Sequence, residues 1–200
     1  MKIGLILPAL ILFFMLSSPL LAAPPPSDEF TNQVLDLIKE KQYGEALNIC
    51  DEALQEDYED VAAYCLRAQV LKKMGELNRA LEDCNSAIEI DDHCLVAYHT
   101  RGEIYHDLKD YDSAIADYTR AIEIDPEWSP PYVGRGTVHF KKGELDLAIH
   151  DYDKSIAIDP SYTPAKISRL FALLVKQIWW ILGTIIFLII LIRTMSGRKA

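Results

Sequence analysis

The stretch Tyr111–Pro126, YDSAIADYTRAIEIDP, returns 34 residues later as Leu145–Pro160, LDLAIHDYDKSIAIDP. A period of this length constrains the fold more than any single motif, because each period is then one supersecondary unit stacked on its neighbours. With Ala114 and Ala148 as markers, stepping back by 34 gives Ala80 and Ala46. Seven residues past the markers stand Ala53, Ala87, Ala121 and Ser155; sixteen before them stand Phe30, Tyr64, Tyr98 and Tyr132. Four sets in constant register fill roughly Ser27 to Tyr162.

Within a unit the apolar spacing is helical. Tyr98, Arg101–Gly102 and Tyr105 follow the i, i+3, i+4, i+7 stripe, LKDYDS interrupts it, and Ala114, Ile115, Tyr118, Ala121 and Ile122 restore it. Asp125–Pro126 closes the second helix, since a residue before proline avoids helical geometry. Gly102, Ala114 and Ala121 are small enough to let the two helices approach. Such a unit cannot bury its own stripe, so stacked units share one core. The expected fold is all-α: an α-solenoid of about four helix–turn–helix repeats, at 27–60, 61–94, 95–128 and 129–162.

The order aromatic, Gly or Ala, Tyr, Ala, aromatic, Ala, Pro at this spacing resembles the tetratricopeptide repeat family. Tyr98, Gly102, Tyr105, Ala114, Tyr118, Ala121 and Pro126 carry the likeness in the third unit; Tyr132, Gly136, Ala148, Tyr152 and Pro160 carry it in the fourth. The first two units depart: Val34 replaces the small residue, Cys50 and Cys84 the second-helix aromatic, Tyr58 and Asp92 the closing proline. The resemblance covers about two thirds of the chain and is specific for fold, far less so for partner.

The ends are apolar. Lys2, a run from Ile3 to Leu16, then Ala22 and Ala23 make the layout of a secretory signal over 1–23, whether cleaved or kept as an N-terminal anchor; a buried helix is the third reading. A Pro-rich linker, 24–27, follows. At the other end, Ile167, Leu170, Phe171, Leu174 and Val175 give an amphipathic capping helix over 163–177. A transmembrane helix over 178–195 continues it, with Trp179 and Trp180 at its edge and a basic tail, 196–200, beyond. The charge-free run Ile178–Ile192 spans only about 22 Å as a helix, but Lys176 and Arg193 can snorkel and lengthen it. Charges flanking this span are balanced, so orientation rests on Lys2, which keeps the N-terminus cytoplasmic and sends the repeats across the membrane.

All 30 acidic residues lie between Asp28 and Asp159 against 13 of the 20 lysines and arginines, a net charge of −17 that excludes nucleic acid as a partner. Of the four cysteines, Cys50 and Cys84 hold equivalent places about 10 Å apart, Cys84 and Cys94 are separated along a helix, and a Cys50–Cys94 bridge would jump a unit. No complete pairing is comfortable. Cys50 and Cys84 read as small buried hydrophobes, and cysteine usage lends export no support.

The resemblance implies that the first helix of each unit lines a concave groove for peptides or partner helices. By register that surface is Thr31, Leu35 and Ile38; Cys65, Gln69 and Lys72; His99, Glu103 and His106; Val133, Thr137 and Phe140. A subset of the family grips chaperone C-termini with Lys and Asn at fixed groove places, where this chain has Thr31, Leu35, Cys65, Gln69, His99 and Glu103. That clamp is absent. His99, Glu103 and His106 share a helix face and are the candidate metal ligands, although one helix cannot close a metal site. Lys72–Lys73 and Lys141–Lys142 end first helices, where cations complement the dipole. No nucleophile–base pair or phosphate loop stands out, so neither catalysis nor a cofactor is expected.

The sequence thus points to a membrane-anchored scaffold or assembly factor that binds protein or peptide through Gln69, Lys72, His99, Glu103, His106, Thr137 and Phe140, with its repeats on the extracytoplasmic side. The alternatives are a cytoplasm-facing, tail-anchored adaptor or co-chaperone, and a metal-binding role at His99, Glu103 and His106. Self-association is left open.

Overall fold

The computed structural model describes residues 27–196, all helix and turn. The expected signal or anchor (1–23), the linker up to residue 26 and the tail from residue 197 lie outside the described residues. The helices are α1 (Ser27–Lys39), α2 (Tyr43–Glu56), α3 (Val61–Met74), α4 (Leu77–Ile90), α5 (Leu95–Asp107), α6 (Tyr111–Ile124), α7 (Pro130–Lys142), α8 (Leu145–Ile158) and α9 (Thr163–Ser196). They form four helix pairs followed by one long helix. Successive first helices (α1, α3, α5, α7, α9) pack side by side, whereas successive second helices do not touch. The array therefore curves with its first helices on the inside.

Local chemistry repeats with the period. The marker alanines Ala46, Ala80, Ala114 and Ala148 are all fully buried. Each second helix stops at an aspartate, Asp57, Asp91, Asp125 or Asp159, in extended geometry. The Oδ1 of each accepts from the backbone N–H two residues on, at 2.8–2.9 Å. This aspartate turn ends the helix with or without a following proline, which is why Tyr58 and Asp92 are tolerated in the first two units. Inside each pair the turn needs one left-handed residue: Gly75 and Gly143 supply it at φ 84° and 81°, and Lys41 and Lys109 are held there at 63° and 64°.

The other departures are volume exchanges. Where the first helix carries Gly102 or Gly136, the second brings a tyrosine ring to it; a Cβ on Gly102 would meet Tyr118 at 3.0 Å and one on Gly136 would meet Tyr152 at 2.9 Å. Where the first helix carries Val34 or Ala68, the facing second helix has Cys50 or Cys84, each fully buried in the same cluster. Large faces small in the first, third and fourth units, whereas in the second two small side chains, Ala68 and Cys84, meet. Both thiols behave as core atoms, with burial pushing each up to about 12.

A polar ladder ties the units together. Arg67, Arg101 and Arg135 each hold the aspartate sixteen residues on (Asp83, Asp117, Asp151) in a two-pronged pair at 2.7–3.0 Å. The third nitrogen of each reaches back to the preceding unit, to Asp51, Asn85 or Thr119. Each guanidinium also lies 5.5–5.9 Å from the ring of Tyr64, Tyr98 or Tyr132, giving the recurrent aromatic a role as its platform. Arg169 on α9 repeats the reach-back contact one period later, to Asp153, and Lys176 pairs with Asp146 as Lys142 does with Asp112. The start of α9 is thus a fifth first helix in register.

The capping helix is present, but not on the expected face. Ala165 and Ala172 of α9 are fully buried and Val175 is half-buried, whereas Ile167, Leu170, Phe171 and Leu174 are 49–64% exposed. Small residues face α8 because the ladder fixes the rotation of α9, leaving the bulky stripe on the inner surface. Helix α9 then runs on without a break, and Ile178–Ile192 is exposed along its length apart from Thr184. By length and composition Thr163–Thr194 is long and apolar enough to cross a membrane.

Candidate protein-binding groove

The inner surface holds two adjoining cavities. One, of about 240 Å³, is lined by Lys72, His99, Glu103, His106, Val133 and Thr137 together with Tyr118, Pro130 and Tyr162. The other, of about 340 Å³, is lined by Ile38, Gln69, Lys72, His99, Glu103, Trp128 and Pro130. Lys72, His99, Glu103 and Pro130 belong to both, so the two form one trough across α3, α5 and α7. Six of the seven expected groove residues (Gln69, Lys72, His99, Glu103, His106 and Thr137) come together there. Phe140 does not; it lines a separate cavity of about 390 Å³ with Val175 and Trp179, and its ring lies 5.5 Å from that of Phe171. Cys65, expected on the groove, is 4% exposed and packs between α3 and α5 instead.

The floor of the trough is ordered by charge and stacking. Lys72 of α3 pairs with Glu103 of α5, tying two units across the groove. The Lys72 side chain is only 12% exposed, so this cation is largely spent inside the protein. His99 sits between two rings, 4.9 Å from Trp128 edge-on and 5.6 Å from Tyr118. Burial holds its imidazole below the ordinary 6.5, Lys72 adds to that and Glu103 opposes it, so the ring is neutral at pH 7. Thr137 Oγ1 donates to the Val133 carbonyl at 2.8 Å.

This arrangement does not make a metal site of His99, Glu103 and His106. Glu103 is engaged by Lys72, His99 is stacked, and His106 lies 3.4 Å from the Asp107 carboxylate beside the Tyr111 ring. Among the described residues, donor atoms within 4.8 Å of one another occur instead at Asp91, Asp92 and His93, an exposed acidic turn. A shared helix face places Cβ atoms on one side; it does not bring donor atoms to one point.

Sequence reasoning missed the aromatic wall. Tyr118 sits on a second helix, where the period assigns it to the core, yet its ring slides under Gly134 and reaches the trough. A Cβ at residue 134 would meet that ring at 2.5 Å. Trp128 lies in the turn between units, outside the helical register, and only its proximity to Pro130 hinted at a fixed position. Trp128, Pro130 and Tyr162 enter the groove from the inter-unit turns and the edge of α7.

Comparison with known proteins places this architecture. The chain is similar in structure to MamA (24% identity, covering 71% of this chain and 83% of that one, TM-score 0.61). It is also similar to pilF of Pseudomonas aeruginosa (18%, 75% and 68%, TM-score 0.68). A third likeness is to the first TPR of Spaghetti (RPAP3), solved bound to the HSP90 peptide SRMEEVD (19%, 60% and 96%, TM-score 0.57). At these identities the likeness is one of fold. No curated protein matches the chain. The family model described as tetratricopeptide repeat matches three times, at residues 61–94, 96–127 and 130–162. Helices α1 and α2 fall outside those matches but keep the turn, the closing aspartate and the buried alanine in register. By the repeats running from residue 61 to 162, the chain belongs to the tetratricopeptide repeat family.

Proposed function

We propose that this protein is a membrane-anchored scaffold whose inner groove holds a segment of a partner protein on the extracytoplasmic side. Tetratricopeptide repeats are protein-interaction scaffolds, and the observation that carries the finer reading is the gradient along the inner surface. Its middle is polar and aromatic, at His99, Glu103 and Thr137; its far end is the exposed apolar stripe Ile167, Phe171 and Leu174 on the helix that continues into the apolar segment. A partner with a polar stretch followed by an apolar one matches that order. The acidic peptide bound by the Spaghetti domain is a poor model for the ligand, because Lys72 is already paired with Glu103. Anchoring by α9 would raise the local concentration of whatever the groove holds. The extracytoplasmic placement is supported by Lys2 ahead of the N-terminal apolar run.

A photo-crosslinking side chain at Thr137, in the full-length protein in its native membrane, tests the groove. Discrete adducts are expected there, lost on Val133→Glu, and absent when the probe sits at Glu82 on the exposed face of α4. Equal labelling of the two faces would refute groove binding. Sidedness is read by a membrane-impermeant protease on intact cells, with any outer membrane first permeabilised. Cleavage in the repeats with the tail protected supports export; full protection until lysis sinks it and favours the cytoplasmic adaptor.

A further inference from the structure

Cys65 of α3 and Cys94, the N-cap residue of α5, bring their sulfur atoms to 3.4 Å. Both are thiols, 29 positions apart in sequence and on different elements. A disulfide needs about 2.05 Å between sulfurs, so closing the bond requires an approach of only about 1.4 Å, within reach of side-chain rotation. The two cysteines differ in access: Cys65 is enclosed at 4% exposure among Val61, Tyr64, Ala87 and Ala97, whereas Cys94 is half-buried in the turn after α4.

They also differ in reactivity. The sulfur–sulfur hydrogen bond with Cys65 and the backbone N–H groups of Ala97 and Val96 at the start of α5 pull the Cys94 thiol below its usual range. Cys65, its hydrogen-bond partner, is pushed up by that contact and by burial. A thiolate at a helix N-terminus beside a second thiol has the environment of an attacking cysteine with its resolving partner. Cys50 and Cys84, fully buried, have neither access nor a nearby sulfur partner of this kind.

We propose that Cys65 and Cys94 form a redox pair that takes up an intrachain disulfide by exchange with an oxidised thiol–disulfide donor. Cys94 Sγ attacks one sulfur of the donor disulfide, whose S–S bond breaks and releases the first donor thiolate. The mixed disulfide at Cys94 is then attacked by Cys65 Sγ, which loses its proton as the second donor thiolate departs. Two cysteine thiols are oxidised by two electrons, and the donor is reduced to two thiols that carry away the two protons. The bridge staples the exit of α4 to α3 and fixes the spacing of α3 and α5. Val96, which lines the trough, is two residues from the bridge, so oxidation sets one wall of the groove.

The test treats the full-length protein in detergent micelles with oxidised glutathione, then alkylates free thiols and maps the peptides. A Cys65–Cys94 linked peptide is expected, with Cys50 and Cys84 alkylated only after unfolding and a melting midpoint raised by roughly 10 °C. In Cys65→Ala the reaction should stop at a stable glutathione adduct on Cys94. In Cys94→Ser, which keeps a good N-cap residue, the remaining thiols should stay unreacted. A wild-type protein that keeps glutathione on Cys94 unresolved, or whose folded form reacts at Cys50 or Cys84 instead, would overturn the proposal. So would a folded protein in which no thiol reacts.

Discussion

Replacing Arg135 with methionine removes the guanidinium that holds Asp151, and the structure sets the size of the effect. The Asp151 side chain is 3% exposed and both its oxygens accept from Arg135, at 2.9 and 3.0 Å. Without that partner a carboxylate is left charged and buried, a loss of about 3–5 kcal/mol. Arg169, one period later, makes only the reach-back contact, to Asp153 where Arg135 has Thr119, and there the two side chains are 42% and 50% exposed. Water replaces the partner, and Arg169→Met should cost about 0–1 kcal/mol. The double variant Arg135→Met/Asp151→Leu removes the stranded charge as well and should regain most of the single variant's loss. Urea unfolding of the full-length protein in detergent, followed by helix circular dichroism, gives the three midpoints. If Arg135→Met costs no more than Arg169→Met, or if the double variant is less stable than the single, burial is not what gives the ladder its strength.

Three smaller changes follow from single residues. Lys109→Gly should stabilise by about 0.5–1 kcal/mol, because Lys109 is held at a positive φ that Gly75 and Gly143 occupy freely in other units; no rise in the urea midpoint would show the turn to be unstrained. Ser155 Oγ is fully buried without a hydrogen-bond partner among the described residues, at a place held by Ala87 and Ala121 in other units, so Ser155→Ala should gain about 1 kcal/mol by the same assay. The folded state keeps His99 neutral below its ordinary 6.5, so the unfolded chain binds a proton that the folded chain does not, and stability falls as pH drops below about 6.5. His99→Phe keeps the stacking on Tyr118 and Trp128; between pH of about 7 and about 5 its midpoint should fall less than that of the wild type.

The repeat was legible because its signals are local. Apolar spacing, small residues and closing aspartates lie within one helix or one turn, so the period alone gives helix pairs and their order. The apolar run after Lys176 is equally local, and so is its fitness by length to cross a membrane. Register also carries a first-helix position from unit to unit, which is why Gln69, Lys72, His99, Glu103, His106 and Thr137 line one trough as the spacing predicts. What register cannot carry is the rotation and separation of neighbouring helices, and each correction has that origin. His99, Glu103 and His106 share a face but not a point, because side-chain partners from α3 and the inter-unit turns draw them apart. The face of α9 turned inward because Arg169 and Lys176 repeat the ladder. Tyr118 reaches the groove only because Gly134 on the next first helix leaves room for its ring. Cys65 and Cys94, 29 residues apart, meet only once α3 and α5 are packed. The sequence by itself determined the elements, their period and the polarity of each face; the tertiary structure decided which side chains meet, because contacts across sixteen or thirty residues depend on helix packing angles that no local pattern encodes.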